Sequence, residues 1–380
     1  MSLIRDLTDE EARAALPQKW GSVEPGVIPA YIAEMDFAPA PVVCDAVVDA
    51  VRRGVTGYPP AGDGGVGAAF AAFAERHWAW APPVDATVVT GDVLGAIRLV
   101  LDLLCPPGPV AVPLPCYPPF RDIVEVAGRS VVPVLTDLDS DVATMDLAGL
   151  EVAFAGGART MLLCSPHNPL GRVWSRPELE AVRDLAARYD VRVVADEIHG
   201  PLVLPGATFT PYLAVDPGAV VVTAPSKAFN TPGLHCGLVV APDPGDLERL
   251  RSAPLPMNHS YSPLGMLAAV AAYTDGDEWV AALVDRLDQQ RTLLADLLAT
   301  RLPEARMRPL EATYLPWLDL RAYGVDDLEA PALEHGLKLA PGQNFQPGLP
   351  GHARLNLATS PARLTAMVDR LASAVGAPSS

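Results

Sequence analysis

Short, continuous apolar runs recur along the middle of this chain, and they limit its fold more than any other feature. They lie at 88–90, 110–113, 131–134, 160–164, 191–195, 219–223 and 237–240. Several are apolar at every position rather than at alternate positions. Strands of that kind are buried on both faces, as in a mostly parallel sheet that is flanked by helices. The runs therefore predict an α/β fold.

Stretches with helical periodicity separate these runs. Residues 93–104 carry their apolar side chains on one stripe, and a proline-rich turn follows at 106–108. Ser175 and Glu178 have the spacing of a helix capping box, ahead of a stretch whose apolar face ends at Tyr189. Because this helix stands between two of the runs, the pattern predicts a βαβ crossover.

The C-terminal part of the chain has a different pattern. One long helix is predicted over 277–302, two short strands over 314–320 and 354–357, and a last helix after Ser360. We therefore expect a large α/β domain at 45–280. A smaller α+β domain would combine residues 1–44 with residues 281–380.

The charge balance argues against two classes of partner. The chain has 45 acidic residues against 28 lysines and arginines, which gives a net charge of −17. Such a charge repels nucleic acid and anionic membrane surfaces. No apolar run approaches the roughly 20 residues that span a bilayer, and the first residues lack the apolar core of a signal peptide. We expect a cytoplasmic protein that binds neither nucleic acid nor membranes.

The cysteines and histidines give no sign of a metal site. The five cysteines are scattered without CxxC spacing, and the seven histidines show no HxxxH or HExxH spacing. This favours small buried thiols over a disulfide framework or a zinc site.

Polar residues follow three of the predicted strands, and a helix begins just after a fourth. The carboxyl ends of parallel strands meet at one edge of a sheet, where ligands bind in α/β folds. The helix that begins at Val93 would bring an anion-binding N-terminus to the same edge. The polar residues are Asn168, Asp196, His199, Ser226 and Lys227.

Lysine is rare in this chain, and one of the three lysines lies at this edge. They are Lys19, Lys227 and Lys338, and only Lys227 follows a predicted strand. Pyridoxal 5'-phosphate (PLP) needs a lysine for its Schiff base, a carboxylate at its ring nitrogen, a donor at its ring hydroxyl and a phosphate site. Alone, Asp196 could be a cap and Asn168 a turn residue. Together, these residues predict a PLP site.

Several sequence blocks resemble one enzyme family. In these blocks the chain is similar to fold-type I PLP enzymes of the class I/II aminotransferase superfamily, in the cystathionine β-lyase branch of MalY and PatB. The resemblance covers nearly the whole chain and implies a mostly parallel, seven-stranded sheet in the large domain. The blocks are Lys19-Trp20, AEMDF at 33–37, Gly57-Tyr58, PCYPPF at 115–120, CSPHNPLGRVW at 164–174, ADEIH at 195–199, SKAFNTPGLHCG at 226–237 and ARLNLATS at 353–360.

The resemblance implies roles around the cofactor ring. Lys227 would hold the cofactor and act as acid and base at the substrate Cα, and Asp196 would pair with the pyridine nitrogen. Asn168 and His199 would face the ring hydroxyl, and Tyr117 would stack on the ring.

The resemblance also implies contacts further out. The amides of Val93 and Leu94, with Ser226, would hold the phosphate. Tyr58 would reach the cofactor phosphate of the other subunit, so that the protein acts as a homodimer. Arg354 would bind the α-carboxylate of an amino acid substrate through two hydrogen bonds.

Four positions depart from the family pattern. His235 replaces an arginine that often binds phosphate, and Asp92 replaces a glycine of the phosphate loop. Pro118 replaces a second tyrosine, and Gly200-Pro201 follow the DEIH block. The last two changes would reshape the substrate pocket.

The predicted activity is that of a carbon–sulfur β-lyase. It would cleave a cysteine thioether, either cystathionine-like or another cysteine S-conjugate, to a thiol, pyruvate and ammonia. Three alternatives stay open: an aminotransferase, an enzyme of secondary metabolism that acts on a large cysteine conjugate, and a non-catalytic binding protein with the same fold.

Overall fold

The computed structural model describes residues 3–377. The helices are α1 (Asp9–Ala15), α2 (Pro41–Arg52), α3 (Val66–Trp78), α4 (Val93–Leu103), α5 (Pro119–Val126), α6 (Leu147–Ala155), α7 (Arg176–Arg188), α8 (Pro244–Arg251), α9 (Pro263–Asp275), α10 (Asp277–Arg301), α11 (Glu329–Glu334), α12 (Gly342–Phe345) and α13 (Pro361–Ala374). The strands are β1 (Ile28–Pro29), β2 (Thr87–Thr90), β3 (Val110–Leu114), β4 (Val131–Leu135), β5 (Thr160–Cys164), β6 (Arg192–Asp196), β7 (Val220–Thr223), β8 (Gly237–Val240), β9 (Arg306–Met307), β10 (Trp317–Asp319), β11 (Leu337–Lys338), β12 (Ala340–Pro341) and β13 (His352–Arg354).

A seven-stranded sheet forms the centre of the molecule, in the order β2-β8-β7-β6-β5-β3-β4. Neighbouring strands are parallel from β7 to β4, whereas β8 runs antiparallel to both of its neighbours. Because β2 and β7 both oppose β8, they point the same way. The prediction of a mostly parallel sheet in an α/β fold is confirmed, with β8 as the one reversed strand of this sheet.

Both faces of the sheet are covered, as the apolar runs predicted. In β7, Val220 and Val222 belong to the apolar cluster that α4 and α5 complete. Val221 points the other way, into the larger cluster that includes α7 and α10. The edge strand β4 is the exception, since Pro133 and Leu135 are exposed. An edge strand has a neighbour on one side only, so its apolar run is only partly covered.

The predicted helices form for the local reasons given by the sequence. Ser175 and Glu178 form a capping box at the start of α7. Ser360 caps α13 through the amide of Arg363, with Pro361 in the first turn. The helix predicted over 277–302 is α10, which contains 25 residues. Within residues 3–377, no helix combines the length and apolar character needed to cross a bilayer.

A second, antiparallel sheet lies in the C-terminal part, in the order β12-β13-β10-β9. The strand predicted over 314–320 is β10, which is shorter than predicted. The strand predicted over 354–357 was placed wrongly, because β13 ends at Arg354 and shares only that residue with the prediction. The N-terminal part joins the C-terminal part where β1 pairs with β11. The division of the chain into domains at 45 and 280 stays a prediction.

A fully buried ion pair anchors the N-terminal part. Lys19 Nζ lies 2.9 Å from Asp36 Oδ1, and both side chains are completely buried. Trp20 Nε1 donates to the same oxygen at 2.7 Å, and Arg363 Nη1 donates to Asp36 Oδ2 at 3.3 Å. A buried charge is costly unless it is paired and hydrogen-bonded. Lys19 is therefore a structural residue. The sequence alone did not predict this role.

We expect Lys19→Met to lower the free energy of unfolding by about 3 kcal/mol, because it removes the closest cation from the buried Asp36 carboxylate. Arg5→Gln is the matched control. It breaks an exposed ion pair with Glu11 and should cost less than about 1 kcal/mol. Urea unfolding followed by tryptophan fluorescence measures both. Equal losses would show that the buried pair does not stabilise the fold.

Candidate active site

One pocket at the carboxyl edge of the large sheet collects most of the predicted site residues. It opens where β5, β6 and β7 end, next to the first turn of α4. The sheet register sets Cys164 of β5 beside Asp196 of β6, and Asp196 beside Val222 of β7. The predicted residues that line the pocket are Val93, Leu94, Tyr117, Asn168, Asp196, His199, Ser226 and Lys227.

Lys227 lies in this pocket with its amine against the backbone. Its Nζ donates to the carbonyl oxygen of Ala33 at 3.1 Å. Burial lowers the pKa of Lys227 to about 8, and the nearby Arg354 guanidinium adds to the shift. Among residues 3–377, no carboxylate forms an ion pair with it. A substantial fraction of the amine is therefore neutral, and nucleophilic, near pH 8.

Asp196 is a buried carboxylate that also lacks an ion-pair partner among the described residues. Its Oδ1 accepts a hydrogen bond from the Ile198 amide at 3.0 Å. Burial raises the pKa of Asp196 to about 7, against the opposing effects of the Ile198 amide and Lys227. A buried carboxylate in this state binds a proton or a cationic group strongly.

Arg354 connects the C-terminal sheet to the pocket. Its Nη1 donates to Asn168 Oδ1 at 3.0 Å, and its Nη2 donates to the carbonyl oxygen of Tyr31 at 2.7 Å. The guanidinium also stacks over the ring of Phe345. Its Nε is buried without a hydrogen-bond partner. Burial lowers the pKa of Arg354 to about 10, so it remains a cation that is only partly satisfied by neutral oxygens.

His199 and Tyr117 form other parts of the wall. His199 is buried, and its Nδ1 has no hydrogen-bond partner among the described residues. Burial, with Lys227 and Arg354 nearby, lowers the pKa of His199 to about 3, so its imidazole is neutral. Tyr117 packs edge-on against Phe120, with 5.8 Å between the ring centroids.

The first turn of α4 faces the pocket as an anion-binding site would. Asp92 caps this helix, and its Oδ1 accepts from the Gly95 amide at 2.7 Å. The cap leaves the amides of Val93 and Leu94 available, since the first amides of a helix have no intrahelical acceptor. Gly237 allows this arrangement, because a Cβ there would lie 2.7 Å from the Asp92 backbone.

Other positions singled out in the sequence lie away from the pocket wall. Tyr58 is completely exposed in the single chain, and the fold of one chain does not bring it to Lys227. Pro118 and Gly200 are not on the wall around Lys227. Gly200 packs closely instead, since a Cβ there would lie 3.1 Å from the Phe209 ring. His235 is exposed.

The sequence predicts no role for the 31–34 segment, although residues 33–37 form one of the family blocks. Every carbonyl oxygen of this segment accepts a side-chain hydrogen bond: Tyr31 from Arg354, Ile32 from Asn356, Ala33 from Lys227 and Tyr314, and Glu34 from Lys19 and Asn356. Lys338 lies over the Tyr31 ring at 4.2 Å. All three lysines therefore contact this segment.

The family model for aminotransferase class I and II matches residues 31–371. The chain belongs to the class I and II aminotransferase family. Among its relatives, cystathionine beta-lyase of Corynebacterium glutamicum is 34% identical over 96% of this chain and 98% of the relative. Cystathionine beta-lyase PatB of Bacillus subtilis is 32% identical over 92% of each chain. The crystal structure of cystalysin from Treponema denticola, which contains PLP, has a TM-score of 0.91 and 25% identity, and covers 98% of this chain and 99% of that one. The fold and family implied by the sequence blocks are confirmed.

We expect the amine of Lys227 in the cofactor-free protein to react with acetic anhydride with a pH midpoint of about 8. Burial and Arg354 favour the neutral amine, so Arg354→Gln should move the midpoint upward. Arg53→Gln, at the exposed position that follows α2, is the control and should leave the midpoint unchanged. Peptide mass spectrometry of Lys227 acetylation across pH measures this. A midpoint at the ordinary lysine value of about 10 would show that the amine is not desolvated.

Proposed function

We propose that this protein is a PLP-dependent carbon–sulfur β-lyase that cleaves a cysteine thioether to a thiol, pyruvate and ammonia. The observation that carries the proposal is the shared pocket of the buried Asp196 and the half-buried Lys227, neither of which has an ion-pair partner among residues 3–377. The relatives named as cystathionine beta-lyases, which align over nearly the whole chain, support the reaction type.

The unpartnered polar groups of the pocket match those that PLP would need. The buried Asp196 carboxylate needs a cationic partner, and a protonated pyridine nitrogen is one. The orphaned Nδ1 of His199 needs a hydrogen-bond partner, which a ring hydroxyl supplies. The first turn of α4 offers the Val93 and Leu94 amides to a phosphate. Lys227 would hold the cofactor covalently, with Tyr117, Asn168 and Ser226 around it.

Different residues of this chain would perform different steps of the reaction. When bound, the cofactor supplies a ring that withdraws electrons from the substrate Cα. Once the substrate amine has released Lys227 from the cofactor, Lys227 would take the Cα proton, because its lowered pKa of about 8 leaves part of the amine neutral. The buried negative charge of Asp196 would keep the ring nitrogen protonated. The electron pair left on Cα would form a double bond to Cβ as the bond from Cβ to sulfur breaks and the thiolate leaves. Water would then displace the nitrogen from the remaining three-carbon fragment, which gives ammonia and pyruvate.

Arg354 is suited to bind the α-carboxylate of the amino acid substrate. Its two Nη atoms now contact neutral oxygens, those of Asn168 and Tyr31. A carboxylate would replace these neutral acceptors with a charged one that accepts from both Nη atoms, which is the geometry that arginine favours. Because Asn168, the present partner of Arg354, lines the Lys227 pocket, a carboxylate bound there would lie beside that pocket.

We expect the purified holoprotein to release pyruvate from L-cystathionine without any keto-acid acceptor. Lys227→Ala should lower the rate by about 10²- to 10⁴-fold, because it removes the base, and should abolish the visible absorbance of the lysine-bound cofactor. Lys338→Ala should keep that absorbance, as the control. Turnover that strictly requires an acceptor would contradict the lyase and favour an aminotransferase.

We also propose that the enzyme is a cytoplasmic homodimer and that Tyr58 contributes to the pocket of the partner subunit. In the single chain, Tyr58 is fully exposed, and Val48 and Val51 on the preceding helix α2 are 40% and 51% exposed. An exposed aromatic beside exposed aliphatic side chains is typical of a surface that another subunit covers. Five free cysteines are consistent with a reducing compartment.

A mixture of two inactive variants tests this assignment. If Tyr58 acts across the interface, hybrids of Lys227→Ala and Tyr58→Ala subunits contain one site with both native residues. Random re-association of equal amounts should then restore about a quarter of the wild-type specific activity. If Tyr58 acts within its own subunit, every site of the hybrid is defective and no activity returns.

A further inference from the structure

A second groove begins beside the Lys227 pocket. It encloses about 630 Å³ between the end of α1, helix α2 and residues 230–234. Pro232 lines both the groove and the pocket, and Ala33 of the pocket is followed directly by Glu34 of the groove. The groove therefore adjoins the pocket in which the bond to sulfur would break.

The walls of this groove are mainly apolar and carry one charged side chain among the described residues. Leu16, Pro17, Val43, Val47 and Leu234 supply most of the apolar surface. The charged residue is Glu34. The groove thus offers an apolar path with a single carboxylate beside it.

The Glu34 carboxylate has no partner of its own. Its Oε2 is buried without a hydrogen bond, and no lysine or arginine among residues 3–377 forms an ion pair with it. Lys19 contacts only its backbone carbonyl, at 2.8 Å. Burial raises the pKa of Glu34, although Lys19 and Lys227 oppose the shift. An unpaired, half-buried carboxylate is costly, and a ligand cation would relieve that cost.

We propose that this groove binds the distal arm of the thioether substrate, and that Glu34 binds an ammonium group on that arm. This inference rests on the proposed β-lyase function and specifies its substrate class. The apolar walls suit the methylene groups beyond the sulfur, and the carboxylate suits the cation at their end. A distal arm with an ammonium is favoured over the same arm without one.

Comparing the cleavage of two thioethers measures the contribution of the distal ammonium group. L-Cystathionine and S-(3-carboxypropyl)-L-cysteine differ only in the distal ammonium. The wild-type holoenzyme should cleave cystathionine with a kcat/KM about 10- to 100-fold higher, the range for a charge-assisted hydrogen bond. Glu34→Gln should remove most of this preference, chiefly by raising KM for cystathionine. It should change kcat/KM for the other thioether by less than about threefold.

A matched variant controls for charge. Glu24 is an exposed acid on the same N-terminal part of the chain, outside the groove. Glu24→Gln should leave the preference for cystathionine intact. Glu34→Gln should unfold at the wild-type temperature or above it, since its backbone contacts are unchanged and the replaced carboxylate has no partner.

The outcomes separate this inference from the proposed function. If neither thioether is cleaved, the β-lyase function itself fails. If both are cleaved and the wild type shows no preference, or if Glu34→Gln keeps the preference, only the Glu34 subsite is overturned. If Glu34→Gln weakens both substrates equally and shifts the subunit equilibrium in sedimentation, the groove is a contact between two copies of the chain, and the subsite is likewise overturned.

Discussion

Buried charge without an ion-pair partner is the physical condition on which the site depends. Asp196 and Lys227 line one pocket, and Arg354 is linked to that pocket by its hydrogen bond to Asn168. Among residues 3–377, none of the three forms an ion pair with a protein group. Lys19 gives the contrast, because Asp36 neutralises it at 2.9 Å. Burial lowers the pKa of both lysines, so their pairing is what separates them. Lys19 is held by a carboxylate and stabilises the fold, whereas the Lys227 amine has no carboxylate partner and lines the pocket.

A rigid framework offsets the free-energy cost of these unpaired charges. The seven-stranded sheet is covered on both faces, so the strand ends that bear Asp196 and precede Lys227 are fixed relative to each other. The 31–34 segment adds a second support, since its carbonyl oxygens accept from side chains of both the sheet edge and the C-terminal part.

Much of the site was predictable because it is local in sequence. Asn168, Asp196 and Lys227 each follow a strand that is visible as an apolar run, and parallel strands must bring their carboxyl ends together. The 31–34 segment was not predictable in this way. Its carbonyls meet donors more than 190 residues away, such as Lys227 and Asn356, and no periodicity records such a contact. Tyr58 differs from both the strand-end residues and the 31–34 segment, because it is exposed in a single folded chain.

The sequence by itself determined the fold class, the order of the strands along the chain, the family and the lysine, carboxylate and amide that follow three strands. Hydrophobic periodicity and short blocks are enough for this, since both are properties of neighbouring residues. Tertiary structure alone decided which lysine is paired and which is not, and that Glu34 stands unpartnered in an apolar groove. The pairing and the burial of a charged side chain depend on which distant segments pack around it, because that packing removes the side chain from water.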